Sequence, residues 1–593
     1  MYKKISLNNL DMEYKVMMLR NVAIITLVLL SLGLIYFQIL KGNEYVKLAS
    51  NNRLRIIRSV PQRGIIKDTY GAPLALNVRV FNIESYPLNL YNEEITRKIS
   101  MLLQRNGIPM TEEIIKEKIE KQYSAPYRSV TLATNLTFSQ VANLTMDRDF
   151  DENLLVTPIW RRTYPAAEYT THVVGYVSEI TKDELENVDK ERYRGGDDIG
   201  KNGIEANYEK DLHGYAGERV IEVDSRGRRL RAVESIQPRR GKDIDLEIDL
   251  TAQRYAAELI TPFRGTIIAM DVRTGGVRCL YSSPSYDPNP MTWGISKKEW
   301  LVLSDRLERP MMNRAISGGY PPASTFKLIT ATCGLENNTI TERNTVFCPG
   351  VYELGNRKFR CWKRSGHGTE NVVTALKDSC DVFFYQTANK LGIDKLIKTA
   401  DKYGVGRKTG IDIPGEIAGT IAGPKWKKQR LKESWYGGDT VNYSIGQGYL
   451  LLTPLQVLRA YGAVANGGKL YTPRLNKGIE PTYEILDVDP KVVSIVKKGL
   501  EAVTSVGTGR RANLYGVKLA GKTGTAQNAH GDDHAWFVGY APVDNPQYVV
   551  VAIAEAGKAG SSVTGPMVGK MLRYLVTGEK YKEQSQPKEK QEN

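Results

Sequence analysis

The chain has 593 residues, 41% hydrophobic and 25% charged, a composition that excludes a fibrous or wholly disordered protein and leaves room for two or three domains with cores. Its net charge of +16 suits anionic lipid headgroups or anionic glycans. Nucleic acid is excluded as a partner, because the sequence carries no finger spacing and no basic stripe interleaved with aromatics.

In chain order, the first element is an apolar run. Residues 21–40 hold no charge and are bracketed by Arg20 and Lys41. A helix of that length spans about 30 Å, the thickness of a bilayer core. A cleaved signal peptide would carry a shorter apolar core and a small-x-small site. The chain continues instead Gln38-Ile39-Leu40-Lys41-Gly42-Asn43, so an uncleaved transmembrane anchor is expected. Flanking charge does not set the orientation: Lys3, Lys4, Lys15 and Arg20 precede the run, and Arg53, Arg55 and Arg58 follow it. Residues 1–20 are too few to fold, so they are expected as a cytoplasmic tail, with the bulk of the chain outside the cytoplasm.

Residues 41–245 alternate between helical and strand patterns. Residues 111–122 have a charged, helical period and 217–224 alternate as a strand. No carboxylate pair or histidine cluster there suits catalysis, so this mixed α/β region is expected to be non-catalytic. A second domain, 246–578, opens on alternating Ile244, Leu246, Ile248 and Leu250, followed by a helix over 251–260. Residues 265–271 and 276–281 predict a hairpin turned at Thr274-Gly275. Strands are predicted over 535–540 and 548–554, and a helix over 565–576. Strands at both ends of a helical middle imply one antiparallel sheet flanked by helices, an α+β architecture. Residues 579–593, rich in Lys, Glu and Gln, predict a disordered tail.

Three short strings in the second domain carry chemistry. Ser324-Thr325-Phe326-Lys327 follows Tyr320-Pro321-Pro322-Ala323, a helix start. Residues three apart share a helix face, so the Lys327 amine is expected beside the Ser324 hydroxyl, where a desolvated amine can take its proton. Ser379-Cys380-Asp381 opens an apolar run, and Lys522-Thr523-Gly524-Thr525 sits among small residues that let a substrate backbone lie against an edge strand. Any one string is weak; three in this order in one domain are not.

A second pattern concerns a metal. Three of the five cysteines and one of the five histidines fall close together as Cys348, Cys361, His367 and Cys380, spaced C-x12-C-x5-H-x12-C. Three thiolates and an imidazole make a closed tetrahedral set for structural zinc. The spacing is not that of a common finger, and a disulfide or buried free thiols remain alternatives.

The three strings resemble the S-x-x-K, S-x-N and K-T-G elements of penicillin-binding proteins and serine β-lactamases. The likeness extends along the chain. Val60-Pro61-Gln62-Arg63-Gly64, Arg162-Thr163-Tyr164-Pro165, His172-Val173-Val174-Gly175-Tyr176 and Asn202-Gly203-Ile204-Glu205 look like pedestal elements of class B, monofunctional penicillin-binding proteins. Asn313-Arg314-Ala315, Ser444-Ile445-Gly446-Gln447-Gly448 and His534-Ala535-Trp536-Phe537 look like further class B strings, and the cell-elongation branch is the most similar. Two departures stand out: Asp381 replaces the wider family's Asn, as the elongation branch often does, and Ala323 replaces a glycine, altering local backbone freedom.

The resemblance implies a peptidoglycan DD-transpeptidase that crosslinks stem peptides through a serine acyl-enzyme and binds β-lactam antibiotics covalently. It implies Ser324 as nucleophile, Lys327 as general base, Ser379 as proton relay and Lys522 as the electropositive group. Asp381, Thr523, Gly524 and Thr525 would bind substrate, and backbone N–H groups of Ser324 and Thr525 would hold the oxyanion. No organic cofactor is implied, and some members of the elongation branch hold a metal in this region. The implied partners are stem peptides on lipid-linked precursor, the membrane, elongation-complex proteins and a SEDS-family glycosyltransferase, since no glycosyltransferase pattern is read here. Rival readings are a DD-carboxypeptidase or β-lactamase, in which water replaces the acceptor amine, and a β-lactam sensor or scaffold.

Overall fold

The structure, a computed structural model, describes residues 3–45, 54–121, 129–223, 229–529 and 531–581. Most of the expected tail and the last residues of two expected elements, at 122 and 224, lie outside these.

Helix α1 (Lys3–Ile35) continues into a π-helical turn, Tyr36–Leu40. Within it Met12–Leu40 is long and apolar enough to cross a membrane and is not buried among the described residues. The helix therefore starts well before the expected span at 21. Residues 3–20 contain neither Pro nor Gly to stop it, and Leu, Met and Lys propagate helix well.

The strands that frame the next region are β1 (Leu54–Ser59), β2 (Ile66–Lys67), β3 (Pro73–Ser85), β4 (Val130–Leu136), β5 (Leu155–Thr163), β6 (Gly217–Val223), β7 (Arg229–Ile236) and β8 (Ile244–Asp245). β1, β6 and β7 form an antiparallel sheet by themselves, with β6 central. β3 pairs antiparallel with both β4 and β5. Helices α2 (Glu93–Arg105) and α3 (Glu112–Lys121) bury Ile99, Leu103 and Ile115 with Ile83 and Leu132 of these strands. Asn92 caps α2 by accepting from the Glu94 and Ile95 amides, and two glutamates fill its first turn against the helix dipole.

The pedestal strings quoted from the sequence meet in space. Arg63 and Arg162 both pair with the fully buried Glu205, at 2.6 and 2.7 Å, and Arg63 also reaches Glu209. Residues about a hundred positions apart thus form one buried, mutually neutralised knot.

β8 lies parallel to β2, and the amides Leu246 N and Thr69 N close the junction on Lys67 O and Ile248 O, each at 2.8 Å. Leu246 and Ile248 join a core that runs from Ile66 and Leu74 to Ile268 and Met270. The alternation over 244–250 thus seats the second domain on the first.

That domain begins with α4 (Leu250–Ile260), β9 (Gly265–Asp271) and β10 (Val277–Ser283), and continues through a 3₁₀ turn, Ala323–Phe326, into α5 (Lys327–Glu336). A small module follows: β11 (Val346–Cys348), the hairpin β12 (Val351–Leu354) and β13 (Arg357–Arg360), and β14 (Gly368–Glu370), which pairs with β11. Helices α6 (Val372–Lys377), α7 (Asp381–Leu391), α8 (Pro424–Leu431), α9 (Gly437–Ser444), α10 (Pro454–Ala465) and α11 (Pro490–Ser505) lead to β15 (Ala520–Ala526), β16 (His534–Ala541), β17 (Tyr548–Ala554) and α12 (Thr564–Thr577).

One antiparallel sheet of order β10-β9-β17-β16-β15 organises the domain. Its strands are apolar on both faces because both are covered. Ile267, Ala269, Phe537 and Ala552 face α4 and α12, while Ile268, Met270, Trp536 and Val551 belong to the core with the helical middle. β15, Ala-Gly-Lys-Thr-Gly-Thr-Ala, lacks the apolar alternation of a strand, but its small residues mark the expected edge strand, and it pairs along β16 at the edge of the sheet.

Candidate active site

The 3₁₀ turn carries Ser324. Side chains three apart eclipse in such a turn, so Ser324 and Lys327 share one face. Ala323 has φ +49°, a left-handed conformation that costs a residue with a Cβ about 1–2 kcal/mol. The departure from glycine noted in the sequence therefore stores strain beside the nucleophile rather than only limiting freedom. The turn is held from below: the Ala323 amide donates to Gly446 O at 2.9 Å, and the Tyr461 hydroxyl donates to Thr325 O at 2.8 Å. A Cβ on Gly446 would meet Ala323 O at 2.2 Å, so that glycine is required by close approach.

Lys327 is fully buried, and its amine donates to Ser379 O at 2.8 Å, Ser379 Oγ at 3.1 Å and Asp381 Oδ1 at 2.6 Å. None of these acceptors is Ser324 Oγ, where the sequence placed the amine's partner. Ser379 sits between α6 and α7 with φ +56°, a second strained residue at the same site, and Asp381 opens α7.

Lys522 comes in from β15, fully buried, with the neighbouring Thr523 O as acceptor at 3.3 Å. Burial, reinforced by the charge of Lys327, holds its amine well below the ordinary lysine range, and Asp381 pulls weakly the other way. Thr523 and Thr525 alternate with Lys522 along the strand; Thr523 shares a hydrogen bond of 3.0 Å with Thr508, and Thr525 is exposed. A Cβ at Gly524 would meet Trp536 at 3.0 Å and Thr325 at 3.3 Å, so the glycine lets β15 press against the nucleophile turn. All eight residues singled out for catalysis and substrate binding thus lie on three elements that converge: the 3₁₀ turn, the α6–α7 corner and β15.

Sequence reasoning missed three participants. Gln447 donates to Thr525 O at 3.4 Å, Thr508 backs Thr523, and the Trp362 amide donates to Asp381 Oδ2 at 2.9 Å. Gln447 lies in a quoted string but carried no role; the other two have no local signal, because each acts through a residue distant in sequence.

The candidate metal ligands also come together. Cys348 ends β11, Cys361 follows β13, His367 precedes β14 and Cys380 caps α7, and their donor atoms all lie within 4.8 Å of one another. His367 Nδ1 is 3.7 Å from Cys348 Sγ and 3.5 Å from Cys361 Sγ. A tetrahedral zinc with ordinary bond lengths separates its ligand atoms by about 3.5–3.8 Å, so the donor set fits. All five cysteines are free thiols. The Cys361 thiol is pulled below the usual thiol range, chiefly by the hydrogen bond from Cys380 and then by the Asp381 and Val382 amides at the start of α7. The Trp362 contact makes this module the direct neighbour of Asp381.

Residues 265–573 match the family model of the penicillin binding protein transpeptidase domain, and residues 58–246 that of the penicillin-binding protein dimerisation domain. The chain is 36% identical over 575 residues to the peptidoglycan D,D-transpeptidase MrdA of Haemophilus influenzae, covering 91% of this chain and 88% of that protein. It superposes with a TM-score of 0.81 and 30% identity on the complex between penicillin-binding protein PBP2 and MreC from Helicobacter pylori, covering 89% of this chain and 99% of that one. A structure described as the coordination of polymerization and crosslinking by a peptidoglycan synthase complex matches with a TM-score of 0.74 and 28% identity, over 94% and 98% of the two chains.

Proposed function

The chain belongs to the class B penicillin-binding proteins, in the penicillin-binding protein 2 branch, and on that premise we propose how its residues divide the work of a peptidoglycan D,D-transpeptidase. The activity is serine-type acyl transfer and uses no organic cofactor; the hydrolase and sensor readings are not favoured by the names of the relatives. The observation that carries the assignment is the convergence of Ser324, two buried lysines and Ser379 beside an edge strand.

Ser324 attacks the carbonyl of the penultimate D-alanine, and the acyl-enzyme forms as the terminal D-alanine leaves. In its unprotonated form Lys327 is the general base for the Ser324 proton. Its bonds to Ser379 and Asp381 make Ser379 Oγ the next atom on the path, so the proton reaches the leaving amine through that hydroxyl. Lys522 keeps the site electropositive. The free edge of β15 takes the substrate backbone as an added strand, with Thr523 and Thr525 toward its terminal carboxylate. The Ser324 and Thr525 amides are the oxyanion donors. A second stem's amine then resolves the acyl-enzyme into a crosslink. Fluorescent penicillin tests the assignment: the wild-type protein is expected to label covalently and Ser324→Ala not at all, and stoichiometric labelling of the alanine variant would remove Ser324 from the role.

Cys348, Cys361, His367 and Cys380 would hold a structural zinc, which supplies a rigid crosslink and no chemistry of its own. Supporting this are the mutual distances of the four donor atoms. Untagged protein is expected to contain about one zinc per chain by elemental analysis; absence of metal with a Cys348–Cys361 or Cys361–Cys380 disulfide would overturn it.

The domain reading is a helical anchor, a pedestal over about 41–245 and a transpeptidase domain over 246–578. Residues 12–40 tether the chain by one pass to the cytoplasmic membrane, with the bulk extracytoplasmic. Peptidoglycan and elongation-complex proteins are the partners, as the MreC complex and the synthase complex support. A SEDS-family glycosyltransferase supplies the strand to be crosslinked.

A further inference from the structure

One cluster beside the cleft is used by none of these steps. Lys427 of α8 is buried, 3% exposed, with Nζ at 2.8 Å from Asp439 Oδ2 and 3.4 Å from Glu433 Oε2. Its ammonium also lies over two aromatic rings, Tyr436 at 5.1 Å and Tyr449 at 5.3 Å. Trp426 packs on Tyr449, ring centroids 5.7 Å apart. Three aromatic rings are thus lashed around one neutralised cation. A buried lysine with two carboxylates contributes little net stability, but it fixes orientation.

The rings are not core. Tyr436 is 65% exposed, and Trp426 and Tyr449 are half-buried. Along the chain the cluster adjoins the catalytic site. Tyr449 stands two residues beyond Gln447, which reaches β15, and three beyond Gly446, which holds the nucleophile turn. On the other side, Gly437 and Gly438 lie against Leu354 and Phe359 of the β12–β13 hairpin. The surrounding surface is basic: Lys425, Lys428, Arg430 and Lys432 are exposed on and just after α8.

Rigid, partly exposed rings offer flat apolar faces of the kind on which the C–H faces of a pyranose stack, and preorganised rings lose little freedom on binding. The basic rim complements a polymer bearing carboxylates. We propose that Trp426, Tyr436 and Tyr449 form a saccharide platform that holds the glycan backbone of the strand whose stem peptide enters the cleft, with the α8 cations attracting its carboxylates. The inference rests on the transpeptidase reading and names a subsite for its polymeric substrate.

The test uses the full chain in detergent, with Trp426→Ala, Tyr436→Ala and Tyr436→Phe. Penicillin acylation, which needs no glycan, is expected within about twofold of wild type for all three and reports the fold. The apparent KM for glycan strands bearing stems is expected to rise about tenfold in the alanine variants, with Tyr436→Phe near wild type and turnover of a free pentapeptide unchanged. A stem-free oligosaccharide of the same alternating sugars is expected to change tryptophan fluorescence saturably in wild type and not in Trp426→Ala. Equal losses on strands and free pentapeptide would make this a peptide surface and overturn the proposal, as would unchanged KM with no oligosaccharide binding. Failure of the wild type to crosslink strands would instead strike the transpeptidase reading, and the oligosaccharide titration, which needs no turnover, still decides the platform.

Discussion

Two buried clusters of charge sit in this chain and are balanced in opposite ways. In the pedestal, Arg63 and Arg162 face Glu205 and Glu209, two cations against two anions, with the Arg63 fork engaged by both carboxylates and Arg162 by Glu205. In the catalytic domain, Lys327 pairs with Asp381, while Lys522 feels Asp381 and then Asp378, which is itself paired with Lys377. The first cluster is a knot whose charges satisfy one another. The second is short of one negative charge, and the deficit falls on Lys522, whose amine is pushed toward neutrality. The buried cluster of the pedestal closes its balance; the one to which proton transfer is assigned in the proposed mechanism leaves it open.

Breaking the open cluster is expected to have the largest effect. Lys327→Ala should slow penicillin acylation about a thousandfold or more while the thermal transition remains cooperative. Acylation within tenfold of wild type would deny Lys327 its role. Next comes the closed cluster. Glu205→Ala leaves two arginines buried without their shared partner and is expected to cost about 3–5 kcal/mol in urea unfolding, with acylation by the folded fraction near normal. A loss under 1 kcal/mol would mean that the knot is not what holds the pedestal.

The third prediction reverses the sign of stability between the two clusters. Lys522→Met should abolish efficient acylation yet stabilise the protein by about 1–3 kcal/mol at neutral pH. The folded pKa of Lys522 is depressed, so the unfolded chain binds more protons up to the ordinary lysine value, about 10.4. Stability contributed by this group is therefore present above that value and is lost as pH falls through the folded pKa. The advantage of methionine should shrink on raising the pH toward 10.4; a pH-independent difference would contradict the assignment.

Smaller effects should come from the groups around Asp381. Metal removal by a chelator is expected to slow acylation about tenfold without abolishing it, because Cys380 and the Trp362 amide position the Ser379–Asp381 corner while Ser324 stays on its own turn. Rescue by zinc readdition checks this, and a chelated protein with unchanged rate and melting temperature would refute it. Smallest of all, Asp381→Asn should leave acylation within about tenfold and move the alkaline limb of its pH profile downward, because Lys522 works in its charged form. The carboxylate raises the Lys522 pKa, so its loss lets that amine deprotonate at lower pH. An alkaline limb that stays in place or moves upward would show that another group sets it.

Much of this was legible in the sequence where the signal is local. The hairpin at 265–281, the strands near 535–554 and the closing helix announce themselves through apolar period and turn residues, and each lies where the structure has it. β15 was legible by another signal: small residues around Lys522 mark an edge strand open to close approach, though with no apolar face to display its bounds were not. The helix start at Lys3 was missed because charge, rather than the absence of a breaker, was taken as the boundary.

For function the division is sharper. Sequence alone determined which side chains are present to react, since Ser324, Lys327, Ser379 and Lys522 are recognised by residue type and short spacing, and likewise the four metal-ligand candidates. Only the tertiary structure decided how they are poised. It turned the Lys327 amine to Ser379 and Asp381, buried Lys522 beyond reach of a carboxylate of its own, and brought the Trp362 amide of the Cys/His module to Asp381. The reason is physical: residue type fixes a group's intrinsic chemistry, whereas its proton affinity and hydrogen-bond partner are set by desolvation and by neighbours that the chain delivers from dozens to hundreds of residues away.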